Sequence, residues 1–276
     1  MPSINKLPST RQLIKQYAVK PNRRLGQNFL LDEDIPEKIL NVCGNLAGQN
    51  VLEIGPGVGS LTRELIASQA AQVIVVEFDN SFAPILQQIK EFSSNNLEVI
   101  VGDALKLKLS SFGVSPIRII ANLPYNIGTQ LILNWLSELS LISKITVMLQ
   151  SEVAKRLAAA PGSKNYGSLS VLVQWLCEIE ENFDVPPEYF MPPPKVTSTV
   201  VTITPRPQPL FDCTRENLEK VLRHAFNQRR KMLKSSLKLL SPDIQSLLEQ
   251  LNIDPSLRPE QLSIEQFCQI GRMVVE

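Results

Sequence analysis

Between residues 50 and 150 this chain alternates short, β-branched apolar runs with stretches of helical spacing, and few folds accommodate that order. The runs 51–54, 73–76, 97–101, 117–121 and 145–149 are short and bounded by turn residues, as buried strands are. The intervening stretches, such as 61–68 and 130–139, carry apolar residues at helical intervals. Strands joined by helices pair in parallel through right-handed crossovers, so an α/β fold with a doubly wound sheet is expected. Two further runs, 171–177 and 197–204, read as strands and bring the sheet to seven, mostly parallel. Pro205, Pro207 and Pro209 then break the pattern, and the remainder carries helical spacing only. Three segments are expected: a basic arm over 1–24, the α/β domain over 25–207 and a small all-helical domain over 208–276.

Composition narrows the function classes. Cys43, Cys177, Cys213 and Cys268 form no CxxC pair, and His224 is the single histidine. Zinc sites, disulfide frameworks and Ser-His-Asp chemistry are therefore not expected, and no metal is assigned. No apolar run approaches a membrane span, and Lys6, Arg11 and Lys15 are not followed by the apolar block of a signal peptide. A cytoplasmic, monomeric protein without membrane contact is expected. The net charge of +1 hides an asymmetry. Residues 1–31 hold six cations, Arg23 and Arg24 among them, and residues 222–238 hold six more, with no acid in either segment. The rest of the chain carries 16 basic against 27 acidic residues. Two basic segments on an acidic remainder suit a polyanionic partner. Arg223, Arg229, Arg230, Lys231 and Lys234 are the candidate contacts. Phe226, Leu233 and Leu237 are expected to form one apolar helical stripe behind them.

The first strand runs into Glu53-Ile54-Gly55-Pro56-Gly57-Val58-Gly59. Glycines there allow a tight turn and close approach of backbone to a ligand. The GxGxG spacing differs from a dinucleotide fingerprint, and no Lys-Ser/Thr follows to hold a triphosphate. Glu77 ends the second strand, 22 residues after Gly55, where a carboxylate accepts hydrogen bonds from ribose hydroxyls. Asp103 follows the third strand and is placed to accept from an adenine amine. These residues alone also leave a nicotinamide enzyme open.

Asn122-Leu123-Pro124-Tyr125 follows the fourth strand directly. The lone pair of an exocyclic adenine amine is delocalised into the ring, so the nitrogen is a poor nucleophile. Two acceptors aimed at its hydrogens, the Asn122 amide oxygen and a backbone carbonyl freed by Pro124, draw it toward tetrahedral geometry. Tyr125 offers a stacking face. Phe190, ahead of Pro192-Pro193-Pro194, either stacks on the opposite face of the base or anchors its loop in the core.

Taken with Leu25-Gly26-Gln27-Asn28-Phe29-Leu30, Gln150-Ser151-Glu152-Val153-Ala154, Tyr166-Gly167-Ser168-Leu169-Ser170, Pro192-Pro193-Pro194-Lys195-Val196 and Asn227-Gln228-Arg229-Arg230-Lys231, the chain resembles the 16S ribosomal RNA adenine dimethyltransferases, whose loss gives kasugamycin resistance. The resemblance runs from about Lys20 to the C-terminus. It implies a class I, Rossmann-like methyltransferase fold, S-adenosylmethionine as cofactor, and N6-dimethylation of two adjacent adenines near the RNA 3′ end in the assembling small subunit. It carries cofactor contacts onto Asn28, Leu30, Gly55, Glu77, Asp103 and Asn122, with Gly57 in the same loop. Gly128 and Gln130 stand where the family more often has Ser and Pro, which leaves the start of the following helix open. Residues 1–19 resemble nothing known and read as a flexible basic arm. The rival readings are a large-subunit methyltransferase of the erythromycin-resistance type, which shares fold and site, a DNA adenine methyltransferase, and an assembly factor without catalysis.

Overall fold

The computed structural model describes residues 7–93 and 96–274, so Lys6 of the basic arm lies outside the described residues. The chain forms two compact units, one of Met1–Ala154 with Glu180–Pro205, the other of Lys155–Ile179 with Arg206–Glu276. The division is therefore not a single cut, because residues 155–179 leave the first unit and the chain then returns to it.

The first unit opens with helix α1 (Thr10–Gln16). Ser9 caps it: the Ser9 hydroxyl accepts the Gln12 amide, and the Gln12 side chain accepts the Ser9 amide. Such a reciprocal cap starts a helix too short to be stable alone. Leu13 is completely buried, and Ile14, Tyr17 and Val19 pack against the same core. The segment expected to be a flexible basic arm is thus docked, with Arg11 and Lys15 on its exposed side. One buried row in seven residues was too short a pattern to read.

Strand β1 (Phe29–Leu30) and helix α2 (Asp34–Cys43) follow, and then the expected alternation: β2 (Asn50–Ile54), α3 (Ser60–Ala67), β3 (Gln72–Glu77), α4 (Ala83–Phe92), β4 (Leu97–Val101), β5 (Ile117–Asn122), α5 (Gly128–Trp135) and β6 (Ile142–Gln150). Val51, Val73, Val75, Ile119, Ile145 and Val147 are fully buried, as strands covered on both faces require. Helix α6 (Ser151–Leu157) leads out of this unit.

The run 171–177, expected as a strand, belongs to helix α7 (Ser168–Leu176) instead. Its residues Leu169, Val171, Leu172, Val173 and Trp175 are all buried. A helix that is apolar on every side has no 3.6-residue signature and mimics a buried strand. The actual strand comes immediately after. It is β7 (Cys177–Val185), whose Glu178, Glu180, Glu181 and Asp184 are exposed. A charged strand fits an edge, and β7 takes one. After β8 (Phe190–Met191), strand β9 (Ser198–Pro205) completes a seven-stranded sheet of order β4-β3-β2-β5-β6-β9-β7. The ladders from β4 to β6 are parallel, and β9 runs antiparallel to β6. Separately, β1 and β8 form a two-stranded antiparallel ladder.

The second unit is helical, as expected after the prolines: α7 is joined by α8 (Arg215–Asn227), α9 (Leu233–Ser236), α10 (Ile244–Gln250) and α11 (Ile264–Met273). Trp175 Nε1 donates to Phe211 O at 2.7 Å, and Phe226 packs between Tyr166 and Phe267. The single stripe expected from Phe226 to Leu237 is broken, because α8 ends at Asn227. The Leu233 and Lys234 amides are taken by Leu257 O and Pro255 O, so backbone pairing with that loop overrides helix continuation. Leu233 and Leu237 remain fully buried.

Docking of α1 gives a direct expectation. Leu13→Ala removes a fully buried side chain and should lower the unfolding free energy by about 2–5 kcal/mol. Urea unfolding measures this, and an unchanged midpoint would mean that α1 is not packed in solution.

Candidate functional site

The strand order reverses between β2 and β5, which pair in parallel through Asn50↔Ile117 and Leu52↔Ile119. The loops leaving two such strands turn away from each other and leave a crevice at the carboxyl ends. A cavity of about 280 Å³ lies there. The glycine loop, Glu77, Asp103 and Asn122 through Tyr125 line it, together with a strap of residues 25–30.

The glycine loop is held from inside. Gly59 adopts φ +76° as it caps α3, and a Cβ there would run into the side chain of Ile89. The Gly57 amide donates to Glu77 Oε2 at 3.0 Å, and the Asp79 amide donates to Oε1 at 2.8 Å. Burial nevertheless pushes the Glu77 carboxyl pKa up. Glu53 is buried more completely, and burial pushes its pKa up to about 8, with Glu77 adding to the rise. The hydroxyl of Thr62, donating to Glu53 Oε2 at 2.7 Å, opposes that rise. Asp103 Oδ1 accepts the Leu105 amide, and Lys106 lies 3.7 Å from Oδ2.

Across the crevice, Asn122 ends β5, and its side chain makes no hydrogen bond among the described residues. The Leu123 amide donates to Met148 O, whereas its carbonyl has no partner among the described residues. The Pro124 carbonyl is spent on the Ile127 and Gly128 amides that start α5. That helix begins at Gly128, where a Cβ would come within 3.1 Å of Leu149. Tyr125 Oη and Ser198 Oγ are 2.6 Å apart.

Asn28 and Leu30 line the same cavity, and Leu30 O accepts the Ser60 hydroxyl at 2.8 Å. Ser60 also lies 3.3 Å from Thr10 Oγ1, which ties α1 to the cavity wall. Phe190 is not part of the lining. It is 3% exposed, pairs with Leu30 in the β1–β8 ladder and packs in the core. Glu53 and Phe78 also line the cavity. Glu53 belongs to the glycine motif, and Phe78, 60% exposed beside Glu77, is signalled in the sequence only by being an aromatic directly after the acid.

The candidate RNA contacts lie in the second unit. Arg223, Arg229, Arg230, Lys231 and Lys234 are exposed. Arg229 is engaged, donating to Lys164 O at 2.8 Å and lying 3.7 Å from Glu260. The other four form no ion pair among the described residues. His224 sits half-buried in the last turn of α8. No group of three or more potential metal ligands occurs among the described residues.

The sequence matches the ribosomal RNA adenine dimethylase family over residues 18–275. The chain belongs to this family. A Rhodospirillum rubrum relative, ribosomal RNA small subunit methyltransferase A, is 46% identical over 268 residues, 97% of this chain and 93% of the relative. Among solved structures, a dimethyladenosine transferase from Plasmodium falciparum superposes with a TM-score of 0.74 at 26% identity, covering 87% of this chain and 94% of that one. The 23S rRNA methyltransferase ErmE gives 0.69 at 26% identity, covering 90% and 99%. The fold is that of class I methyltransferases, and the enzyme uses S-adenosylmethionine.

This dimethylase's cavity fits that cofactor by the chemistry of its walls. The glycine loop leaves room for backbone contact, Glu77 presents a carboxylate at a strand end, and Phe78 offers an exposed ring. Glu53 adds a carboxyl that is neutral in the free protein at pH 7.

The Glu53 shift has a sign that can be checked. The folded protein keeps this proton up to about pH 8, whereas an ordinary glutamate loses it near 4.5. The folded state therefore binds more protons across that window, and this group's contribution to stability falls as pH rises. Glu53→Gln removes the effect, so the stability of the variant relative to wild type should rise between pH 5 and 8 by up to about 1.4 kcal/mol per pH unit. Thermal unfolding at the two pH values measures it, and a pH-independent difference would rule out the buried neutral acid.

Proposed function

We propose that this enzyme dimethylates the N6 amines of two adjacent adenines near the 3′ end of 16S ribosomal RNA, within the assembling small subunit in the cytoplasm. The small-subunit target rests on the relatives' name. The observation that carries the chemistry is the pair of acceptors without a partner among the described residues, the Asn122 amide and the Leu123 carbonyl. They share one cavity with the Tyr125 ring and the glycine loop.

The cofactor supplies an electrophilic methyl group on a sulfonium centre. The protein's part is to hold the amine in line with it. Asn122 Oδ1 and Leu123 O accept the two N6 hydrogens and draw the nitrogen toward tetrahedral geometry, which localises its lone pair. Pro124 supports this by having no N–H to compete for a carbonyl and by stiffening the turn. The face of Tyr125 stacks on the flipped base. After transfer the amine carries an extra proton and is acidic enough to release it to water, so no strong general base is needed. Glu77, Asp103, Asn28, Leu30, Gly55 and Gly57 form the cofactor's walls. Phe190 has no place in this scheme, since its ring is in the core.

The test is methyl transfer into unmethylated small subunits, with large subunits and DNA as parallel substrates. Asn122→Ala should lower the rate about 10²–10³-fold, the cost of one oriented polar group, while the fold survives. Wild-type turnover would sink the mechanism, and preferred transfer into large subunits would favour the erythromycin-resistance type.

The second unit supplies phosphate contacts in this reading. Arg229 is tied to Lys164 and Glu260, so the pair Arg230→Glu with Lys231→Glu is the cleaner probe. That double variant should weaken small-subunit binding and flatten its log–log salt dependence by roughly 0.7 per lost single-strand contact. Filter binding across a salt series reports both. An unchanged slope would leave these cations as a solvated surface.

A further inference from the structure

Ser198 opens β9, opposite Gln150 of β6, and is completely buried. A hydroxyl removed from water in this way needs a partner. Its partner is the phenol of Tyr125, 73 residues earlier, at 2.6 Å. The next residue, Thr199, is bonded elsewhere: its hydroxyl donates to Asp184 Oδ1 at 2.6 Å and lies 2.5 Å from Ser151 Oγ. The Pro192-Pro193-Pro194 segment leads directly into β9. Phe190 does not line the cavity, whereas Ser198, after that segment, touches the cavity-lining side chain of Tyr125.

A tyrosine ring is anchored near Cβ by its backbone, but it swings about χ1 unless the far end is held. Stacking depends on where the ring lies. Desolvation pushes the Tyr125 phenol pKa up, so it stays a neutral hydroxyl able to donate or accept. We infer that Ser198 is a positioning residue, whose hydrogen bond to Tyr125 fixes the place of the ring against the target adenine. The inference rests on the reading of Tyr125 as the stacking face. Ser198 acts through Tyr125 and touches neither cofactor nor substrate.

The experiment is a double-mutant cycle on methyl transfer into small subunits, with cofactor affinity read separately by calorimetry. Ser198→Ala and Tyr125→Phe remove the same bond from opposite ends. Each should lower kcat by about threefold to tenfold, the range of one neutral hydrogen bond. The double variant should be no slower than either single one, cofactor affinity should stay unchanged, and Ser198→Thr should restore most of the rate. Thr199→Val, a buried hydroxyl in the same strand, should lower thermal stability without this loss of kcat. Wild-type kcat in Ser198→Ala or in Tyr125→Phe, or losses that add in the double variant, would overturn the inference. Tyr125→Ala separates the two levels: a normal rate there would remove the stacking reading itself. A strong loss with a silent Ser198→Ala would keep that reading and reject Ser198 alone.

Discussion

The parallel pairing of β2 with β5 is the constraint on which the rest depends. These strands are far apart in sequence and adjacent in the sheet, with chain segments leaving their carboxyl ends in different directions. Without that reversal the glycine loop and the Asn122 loop would not face one cavity. Each loop then meets a local demand set by its neighbours. Gly59 has no space for a side chain because Ile89 occupies it, and Gly128 has little because Leu149 lies close. The chemistry is thus assembled by packing before any ligand arrives, the form of preorganisation that an electrostatic mechanism requires.

The interior of the site is expensive to build. Two carboxyls, Glu53 and Glu77, are buried near each other, and burial is the largest influence on both. Glu77 offsets part of the cost through the Gly57 and Asp79 amides, whereas Glu53 has one hydroxyl and stays protonated at neutral pH. Two neighbouring acids whose pKa values burial raises suit a cavity that receives a cationic cofactor, because a cation favours the ionised form of each.

Much of this was legible in the sequence because it is periodic or motif-bound. Six strands, the glycine loop, Glu77, Asp103 and Asn122 followed from short apolar runs and the residues just past them. The misreadings have physical causes. Helix α7 is apolar on all sides, so its period was hidden, and β7 is charged, so it lacked the mark of a strand. Helix α1 signals itself by little more than Leu13 and a cap. The break after Asn227 depends on backbone bonds from Leu233 and Lys234 to residues near Pro255, a tertiary effect that no local pattern encodes. The bond between Tyr125 and Ser198 was invisible for the same reason.

Strand β7 carries one more consequence. Its exposed Glu178, Glu180, Glu181 and Asp184 sit along a sheet edge that would otherwise offer open backbone groups to another strand. Edge charges of this kind discourage aggregation. On an enzyme that works on a polyanion they also act at long range. A phosphate backbone drifting toward that edge is turned away before contact, within a Debye length of about 8 Å at physiological salt. The chain is nearly neutral overall, yet its cations are concentrated in two segments and its acids lie elsewhere in the sequence. Cation-rich segments attract a polyanion while this edge repels it, so fewer encounters begin at the wrong surface.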